Sequence, residues 1–352
     1  MVVAEHPEPS APGHGRVVIR PEAVGLCGSD YHFFAGQLPD AAGGSEFPRV
    51  QGHELAGTIT ALGPGCRDEL EVGQRVAVWP LHACGRCYPC RVGRPNTCDQ
   101  FKLTGIHLDG GLQERLAIGQ EQVFPIDVGD AAIAALAEPV SIAVRAVNRA
   151  AVRPGEQVVV LGAGPIGQCI CLVARERGAE ALVIDLLESR LTLSHEMGAE
   201  TVQWLGAAGV VAFARRWAGP AGPPVAFDAT GTAAAVEAMV SMVASAGRAV
   251  QVGMSNEEAR IRVGSLTEKE IDLLGVSCCG RDEFADAVAV VERNGPLLGR
   301  LISHEFPLDQ APEAIRFGMS NPAEVMKVVI RTAMAVIHDH EGFASNTAPN
   351  PS

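Results

Sequence analysis

The chain has 352 residues, 47% of them apolar and 20% charged, with a formal charge of −13; this is enough material for two domains with separate cores. No basic block offsets that acidic balance, which excludes nucleic acid as a partner and argues against an anionic membrane surface. Of the ten cysteines, four fall between Cys84 and Cys98, a clustering that reads as metal binding in a reducing compartment rather than as disulfides.

The opening MVVAEHPEPSAPGHG has no basic stretch followed by an apolar run, so no secretory signal is expected and the reading is cytoplasmic. Residues 1–140 are rich in Gly, Pro, His and Cys. Strand-like runs at Arg16–Arg20, Gly57–Leu62 and Arg75–Trp79, separated by turn signals, predict a mostly antiparallel β domain. Glu138–Val152 has helical spacing and is expected to lead into the next domain. Within residues 141–281, the runs Val158–Leu161, Ala181–Ile184, Val225–Asp228, Ala249–Val252 and Leu273–Val276 alternate with amphipathic stretches. That is the pattern of a doubly wound parallel sheet, so the fold class is α/β. Residues 282–331 hold one helix near Phe284–Glu292, a turn at Asn294-Gly295-Pro296 and an apolar run, Val325–Ile330. They are too short for a domain and are expected to complete the first one. Residues 332–352 read as a disordered tail. The most apolar stretch, Val158 to Ala174, is broken by glycines, Pro165 and Gln168, and is not expected to cross a bilayer.

The first predicted parallel strand runs into Gly162-Ala163-Gly164-Pro165-Ile166-Gly167 and then into a helical pattern. Such a glycine run is weak evidence alone, but here a strand precedes it, a helix follows, and Asp185 ends the next strand. Gly162 makes the tight turn, Gly164 lets the backbone approach a pyrophosphate, and Gly167 allows close helix–strand packing, with the anion at the helix N-terminus. Asp185 suits the ribose hydroxyls and repels a 2′-phosphate, favouring NAD; Arg190 nearby is the argument for NADP. Thr230-Gly231 and Val252-Gly253, at the ends of later strands, are expected to pass close to the cofactor.

Cys84, Cys87, Cys90 and Cys98 form C-x2-C-x2-C-x7-C, a set able to close a tetrahedral shell around a structural zinc. A second set is dispersed: Cys27 in GLCGSDYH, His53 and Glu54 in QGHE, and Glu138 before Pro139. Together they supply thiolate, imidazole and carboxylate with a position left open, as a catalytic zinc requires. Zinc with one thiolate, one imidazole and one carboxylate is neutral, and a second carboxylate makes the site negative. The expectation is therefore that Glu54 and Glu138 serve one at a time, one as ligand and the other as partner to a bound water.

GLCGSDYH, QGHELAGTI, ACGRCYPCRVGRPNTC, AEPVSIAVRAV and VVLGAGPIG together resemble the zinc-dependent medium-chain dehydrogenases, from about residue 9 to 331. Gly52-His53-Glu54 and Ala137-Glu138-Pro139 look like the polyol and sugar-acid branch, which includes sorbitol dehydrogenase-like and L-gulonate or L-galactonate 5-dehydrogenase-like enzymes. The resemblance implies a GroES-like catalytic domain beside a Rossmann domain, two zinc ions per chain, and hydride transfer from a secondary alcohol of a polyol or aldonate to NAD. It also implies that Cys27, His53 and Glu54 or Glu138 hold the catalytic zinc. Ser29 would take the substrate proton and pass it through the cofactor ribose toward His32. A homodimer or homotetramer is implied, often with the nucleotide-binding sheets paired. The sequence departs from the family at both ends: the first strand is missing or reduced to Met1-Val2-Val3, and the tail beyond Arg331 is longer than usual.

A threonine dehydrogenase-like enzyme, a simple alcohol dehydrogenase and a non-catalytic NAD- and zinc-binding protein are the competing readings. Arg281, after Ser277-Cys278-Cys279-Gly280, is a candidate for pairing with a substrate carboxylate. Asp30, Tyr31, Phe33 and Phe34 are expected to border the pocket. Thr267-Glu268-Lys269-Glu270 reads as a helix capping box, and His107, His195 and His304 as structural histidines.

Overall fold

A computed structural model describes residues 1–5, 7–36 and 48–332; the expected disordered tail, apart from Thr332, lies outside the described residues. The antiparallel region is organised around β1 (Arg16–Gly25), which is flanked on successive stretches by three other strands. It runs past the expected end at Arg20 because Pro21 falls at a bulge against β2, where a missing N–H breaks no ladder bond. Next come α1 (Gly28–Phe34), β2 (Glu54–Leu62), β3 (Arg75–Val78) and the short β4 (Leu81–His82). The metal lobe follows with α2 (Tyr88–Arg91) and β5 (Lys102–Leu103), then β6 (Leu116–Gly119) and β7 (Val123–Pro125).

Two helices, α3 (Ala131–Ala135) and α4 (Ala137–Arg149), lead into the parallel sheet. Their alanines let both sheets pack closely, and one continuous core cluster runs from Ala56 and Ala77 through α4 to Val158, Val160 and Phe227. By length and composition Ala131–Arg149 passes as a membrane span, but 72% of it is buried inside the protein, as befits a core helix.

The parallel region then alternates β8 (Gln157–Leu161), α5 (Pro165–Glu176), β9 (Glu180–Asp185), α6 (Glu188–Glu196), β10 (Glu200–Gln203), α7 (Gly206–Ala218), β11 (Val225–Asp228), α8 (Ala233–Met242), β12 (Arg248–Gln251), α9 (Val263–Lys269) and β13 (Asp272–Gly275). Its sheet order, β10-β9-β8-β11-β12-β13, is that of two mononucleotide-binding halves meeting at β8 and β11. Sequence patterning gives no signal for β10, a partly exposed strand at the sheet edge.

The chain continues through α10 (Arg281–Leu298), β14 (Ile302–Pro307), α11 (Ala311–Ser320) and β15 (Lys327–Arg331). β15 pairs antiparallel with β1 and parallel with β14, so the last strands join the first sheet. The turn expected at Asn294-Gly295-Pro296 is instead a kink inside α10. Asn294 leaves helical geometry while its side chain donates to Val290 O at 2.9 Å, and Gly295 and Leu298 stay buried beyond it. The capping box expected at Thr267 is also absent. Lys269 closes α9 and its Nζ donates to Val243 O at 2.9 Å, because the next residues enter a strand rather than a helix.

Candidate active site and metal centres

In the metal lobe, the N-cap of α2 places Cys87, the helix itself carries Cys90, and the turn at Pro95–Thr97 returns Cys98. The four thiols present their sulfurs within 4.8 Å of one another. Cys87 Sγ lies 3.4 Å from Cys90 Sγ and 3.7 Å from Cys98 Sγ. Zinc–sulfur bonds of about 2.3 Å in a tetrahedron set thiolates roughly 3.8 Å apart, so the spacing fits zinc. Backbone N–H groups of Arg86 and Cys87 point at Cys84 Sγ and hold that thiol down to about 6. These contacts favour the thiolate a metal needs.

The second cluster assembles from two strand ends of the first sheet. Cys27 follows β1 and caps α1, while Asp30 reaches back to accept the Cys27 N–H at 2.9 Å. His53 and Glu54 stand at the start of β2, directly across from Gly25, the last residue of β1. A β-carbon on Gly25 would collide with Glu54 Oε2, so glycine there makes room for the carboxylate. Cys27, His53 and Glu54 each offer a ligand atom within 4.8 Å of the others. His53 is buried, and its Nδ1 has no hydrogen-bond partner but lies 3.8 Å from Asp30 Oδ2, which leaves Nε2 for a metal. Burial opposes protonation of this ring, yet Asp30 and Cys27 together raise its pKa well above the usual histidine value.

Glu54 is 1% exposed and is held by Lys327, itself 4% exposed, whose Nζ donates to Oε1 at 2.8 Å and Oε2 at 2.7 Å, with a further bond to Leu26 O at 3.1 Å. Lys327 sits in the middle of the apolar run Val325–Ile330. A lone lysine inside a buried strand demands a partner, and that was the signal for it. Its charge enters the balance on which the expectation for the two glutamates turns. Lys327 cancels one carboxylate, so a divalent ion, one thiolate and both glutamates are together neutral. Glu138, at the start of α4, has no side-chain hydrogen bond or ion pair among the described residues. Burial pushes its carboxyl up to about 7, with His53 and Lys327 opposing and Glu54 reinforcing the rise.

Ser29 and His32 lie three residues apart on α1 and so share one helix face, with Ser29 half-buried and His32 exposed. Of the residues expected to border the pocket, Asp30 is 2% exposed and supports Cys27 and His53 instead. Tyr31 and Phe34 pack onto the core formed by Leu26, Ile315 and Val328. Arg281 is exposed, with its guanidinium 4.8 Å from the centre of the Phe124 ring. His107 is structural, its Nδ1 accepting the Leu103 N–H at 3.0 Å.

At the dinucleotide loop, a β-carbon on Gly167 would overlap the Gly162 carbonyl, so glycine is required where α5 crosses β8. Gly164 caps α5, with Pro165 and Ile166 in its first turn. Asp185 accepts the Ala163 N–H at 2.6 Å and the Leu187 N–H at 2.8 Å, placing its carboxylate against the loop at the end of β9. Arg190 stands beside the loop, its Nη1 3.9 Å from where a β-carbon on Gly164 would lie. Its Nη2 donates to Pro322 O at 2.7 Å and Val325 O at 3.2 Å, tying α6 to the segment before β15. Thr230 Oγ1 donates to Asp228 Oδ1 at 2.7 Å, and Gly253 packs against the Gly231 backbone, so the ends of β11 and β12 are held together.

A doubly wound sheet with a glycine loop, beside an antiparallel lobe holding a closed four-thiol site and an open Cys–His–Glu site, defines a metal- and dinucleotide-dependent oxidoreductase. Residues 13–128 match the alcohol dehydrogenase GroES-like domain and residues 165–293 the zinc-binding dehydrogenase family. The chain is 33% identical over 321 residues to L-galactonate-5-dehydrogenase of Escherichia coli K12, covering 91% of this chain and 92% of that protein. It is 32% identical over 334 residues to D-altritol 5-dehydrogenase of Agrobacterium fabrum C58, covering 93% and 95%. A solved alcohol dehydrogenase of Escherichia coli CFT073, complexed with NADH, superimposes with a TM-score of 0.82 at 29% identity, over 93% of this chain and 94% of that one. The chain belongs to the zinc-dependent medium-chain dehydrogenases, in their polyol and sugar-acid branch. It is an enzyme that oxidises a secondary alcohol, with zinc and a nicotinamide dinucleotide as cofactors.

Proposed function

We propose that the substrate is a polyol or an aldonate, oxidised at a secondary hydroxyl with NAD as hydride acceptor. The observation that carries this reading is the gathering of Cys27, His53 and Glu54 around one point, with Glu138 unpaired nearby and Lys327 balancing the charge. L-Galactonate and D-altritol, the substrates named for the two relatives, are a sugar acid and a polyol. Zinc, when bound, supplies Lewis acidity toward a hydroxyl oxygen.

The chain's own residues do the rest. Ser29 accepts the substrate hydroxyl proton and passes it outward toward His32, the exposed end of the same helix face. Asp30 keeps His53 oriented. Asp185 receives the ribose hydroxyls, and its negative charge disfavours a 2′-phosphate. Glu138 stands beside the open position, where it accepts a hydrogen bond or completes the ligand set. The four-thiol site is structural. Ten free cysteines support a reducing, cytoplasmic setting. A homo-oligomer is supported by the unpaired edge of β13, where Leu273 is 43% exposed.

The test is reduction of NAD and NADP by zinc-replete enzyme against L-galactonate, L-gulonate, D-altritol, sorbitol, L-threonine and ethanol. Highest kcat/KM with NAD on one of the first four supports the reading. Preference for threonine or ethanol, or for NADP, contradicts it.

A further inference from the structure

Three arginines converge on one cavity that neither the catalytic cluster nor the glycine loop uses. The cavity holds about 300 Å³ and is lined by Arg94, Asn96, Thr97, Arg145, Arg149 and Ser277, among others. Its walls come from the Arg94–Thr97 turn inside the metal lobe, from α4, and from Gly275 at the end of β13 with the two residues that follow it. Asn96 Nδ2 donates to Ser277 O at 2.8 Å and holds two of those walls together.

On a chain with a formal charge of −13, three guanidinium groups around one cavity are an exception to be explained. Only one of them has a carboxylate partner: Arg145 Nη1 lies 3.0 Å from Glu283 Oε1. Arg145 Nε is buried with no hydrogen-bond partner. Arg94 and Arg149 make no ion pair or side-chain hydrogen bond among the described residues. Burial holds the Arg149 guanidinium below the ordinary arginine range, and Arg94 and Arg145 add to that, with Asp272 opposing. Like charges crowded in this way are relieved by an anion between them, and planar guanidinium forks match the oxygens of phosphate. The volume is at the lower end of small-molecule pockets, which start at roughly 300 Å³, and far too small for a polymer.

We propose that this cavity is a binding site for the phosphate group of a small phosphorylated molecule, held by Arg94, Arg145 and Arg149. Occupied, it bridges the metal lobe, α4 and the segment that leads to Cys279, whose carbonyl accepts the Trp79 indole N–H at 3.3 Å. The site thus reaches elements of both sheets without overlapping the cofactor loop.

The experiment uses the full-length zinc-replete enzyme, saturated with NAD so that the pyrophosphate site is filled. Inorganic phosphate is titrated at constant ionic strength set by sodium chloride, and binding is read by calorimetry and thermal shift. The wild type should show saturable stabilisation by phosphate beyond that given by chloride. Arg149→Gln, and separately the exposed Arg94→Gln, should weaken phosphate binding about tenfold, the loss of one charge-assisted hydrogen bond, while NAD affinity stays unchanged. Equal effects of phosphate and chloride, or undiminished phosphate binding in both variants, would overturn the proposal. So would dissociation of an oligomer in Arg149→Gln with no phosphate effect in the wild type, since a carboxylate of a second copy would then fill the cavity.

Discussion

Both carboxylate oxygens of Glu54 accept hydrogen bonds from Lys327 Nζ, at 2.8 and 2.7 Å, although 273 residues separate the two in sequence. The contact fastens the start of β2 to β15, the last described strand, directly behind Cys27 and His53. It therefore has consequences for stability as well as for the metal site.

Replacing Lys327 by Met keeps the bulk but strands a buried carboxylate. The expected cost is about 3–5 kcal/mol in denaturant unfolding of the zinc-free protein, the usual result of removing one partner from a buried pair. Adding Glu54→Gln to Lys327→Met should recover most of that loss. An unchanged midpoint in the single variant would show that Glu54 finds another partner or water.

Asp130 caps α3 and pairs with Arg331, which holds its carboxyl below the usual 3.8. A depressed carboxylate pKa contributes stability that is present above the unfolded value and is lost as the pH falls through the folded one. Asp130→Asn keeps a capping oxygen and removes only the charge. Because the pair is partly exposed and screened, the deficit should be about 0.5–1 kcal/mol at pH 7. It should shrink toward zero as the pH is lowered below 3.8, checked by thermal melts from pH 7 to 3.

Asp185→Ser should lower kcat/KM for NAD by about ten- to a hundredfold, the loss of a charged hydrogen-bond acceptor. The same change should narrow the preference over NADP, measured as the ratio of the two kcat/KM values. An unchanged ratio would remove Asp185 from the ribose site.

Cys90→Ser breaks the closed thiol shell, and the lobe from Cys84 to Cys98 has little apolar material to hold it. Protease cleavage within that lobe should accelerate while NAD binding persists, because one face of the parallel sheet has a core cluster of its own.

How much of this was legible in sequence follows from how local each signal is. The four thiols fall within one short loop, and the glycine run lies directly between a strand and a helix, so spacing alone exposes both. Four of the five predicted parallel strands stand out because they are buried and apolar on both faces, whereas β13, read as buried with them, is an exposed strand at the sheet edge. The half-exposed edge strand β10 has no such contrast, and Pro21 conceals the continuation of β1 into its bulge. The pairing of Glu54 with Lys327 is written nowhere locally, since it depends on β15 returning beside β1. The bonds of Arg190 are hidden for the same reason: its partners, Pro322 and Val325, lie more than a hundred residues away and are main-chain carbonyls, which leave no mark on the sequence.

Zinc content measured alongside NAD reduction, in the wild type and in Cys27→Ser, tests the catalytic cluster most directly. Two zinc ions per wild-type chain are expected, one for each cluster. In Cys27→Ser the four-thiol site should keep its ion, the other should be lost or weakly held, and alcohol-dependent NADH formation should fall to background while NAD still binds. A variant that keeps both ions and its activity would contradict the assignment of Cys27, His53 and the glutamates as the reacting centre.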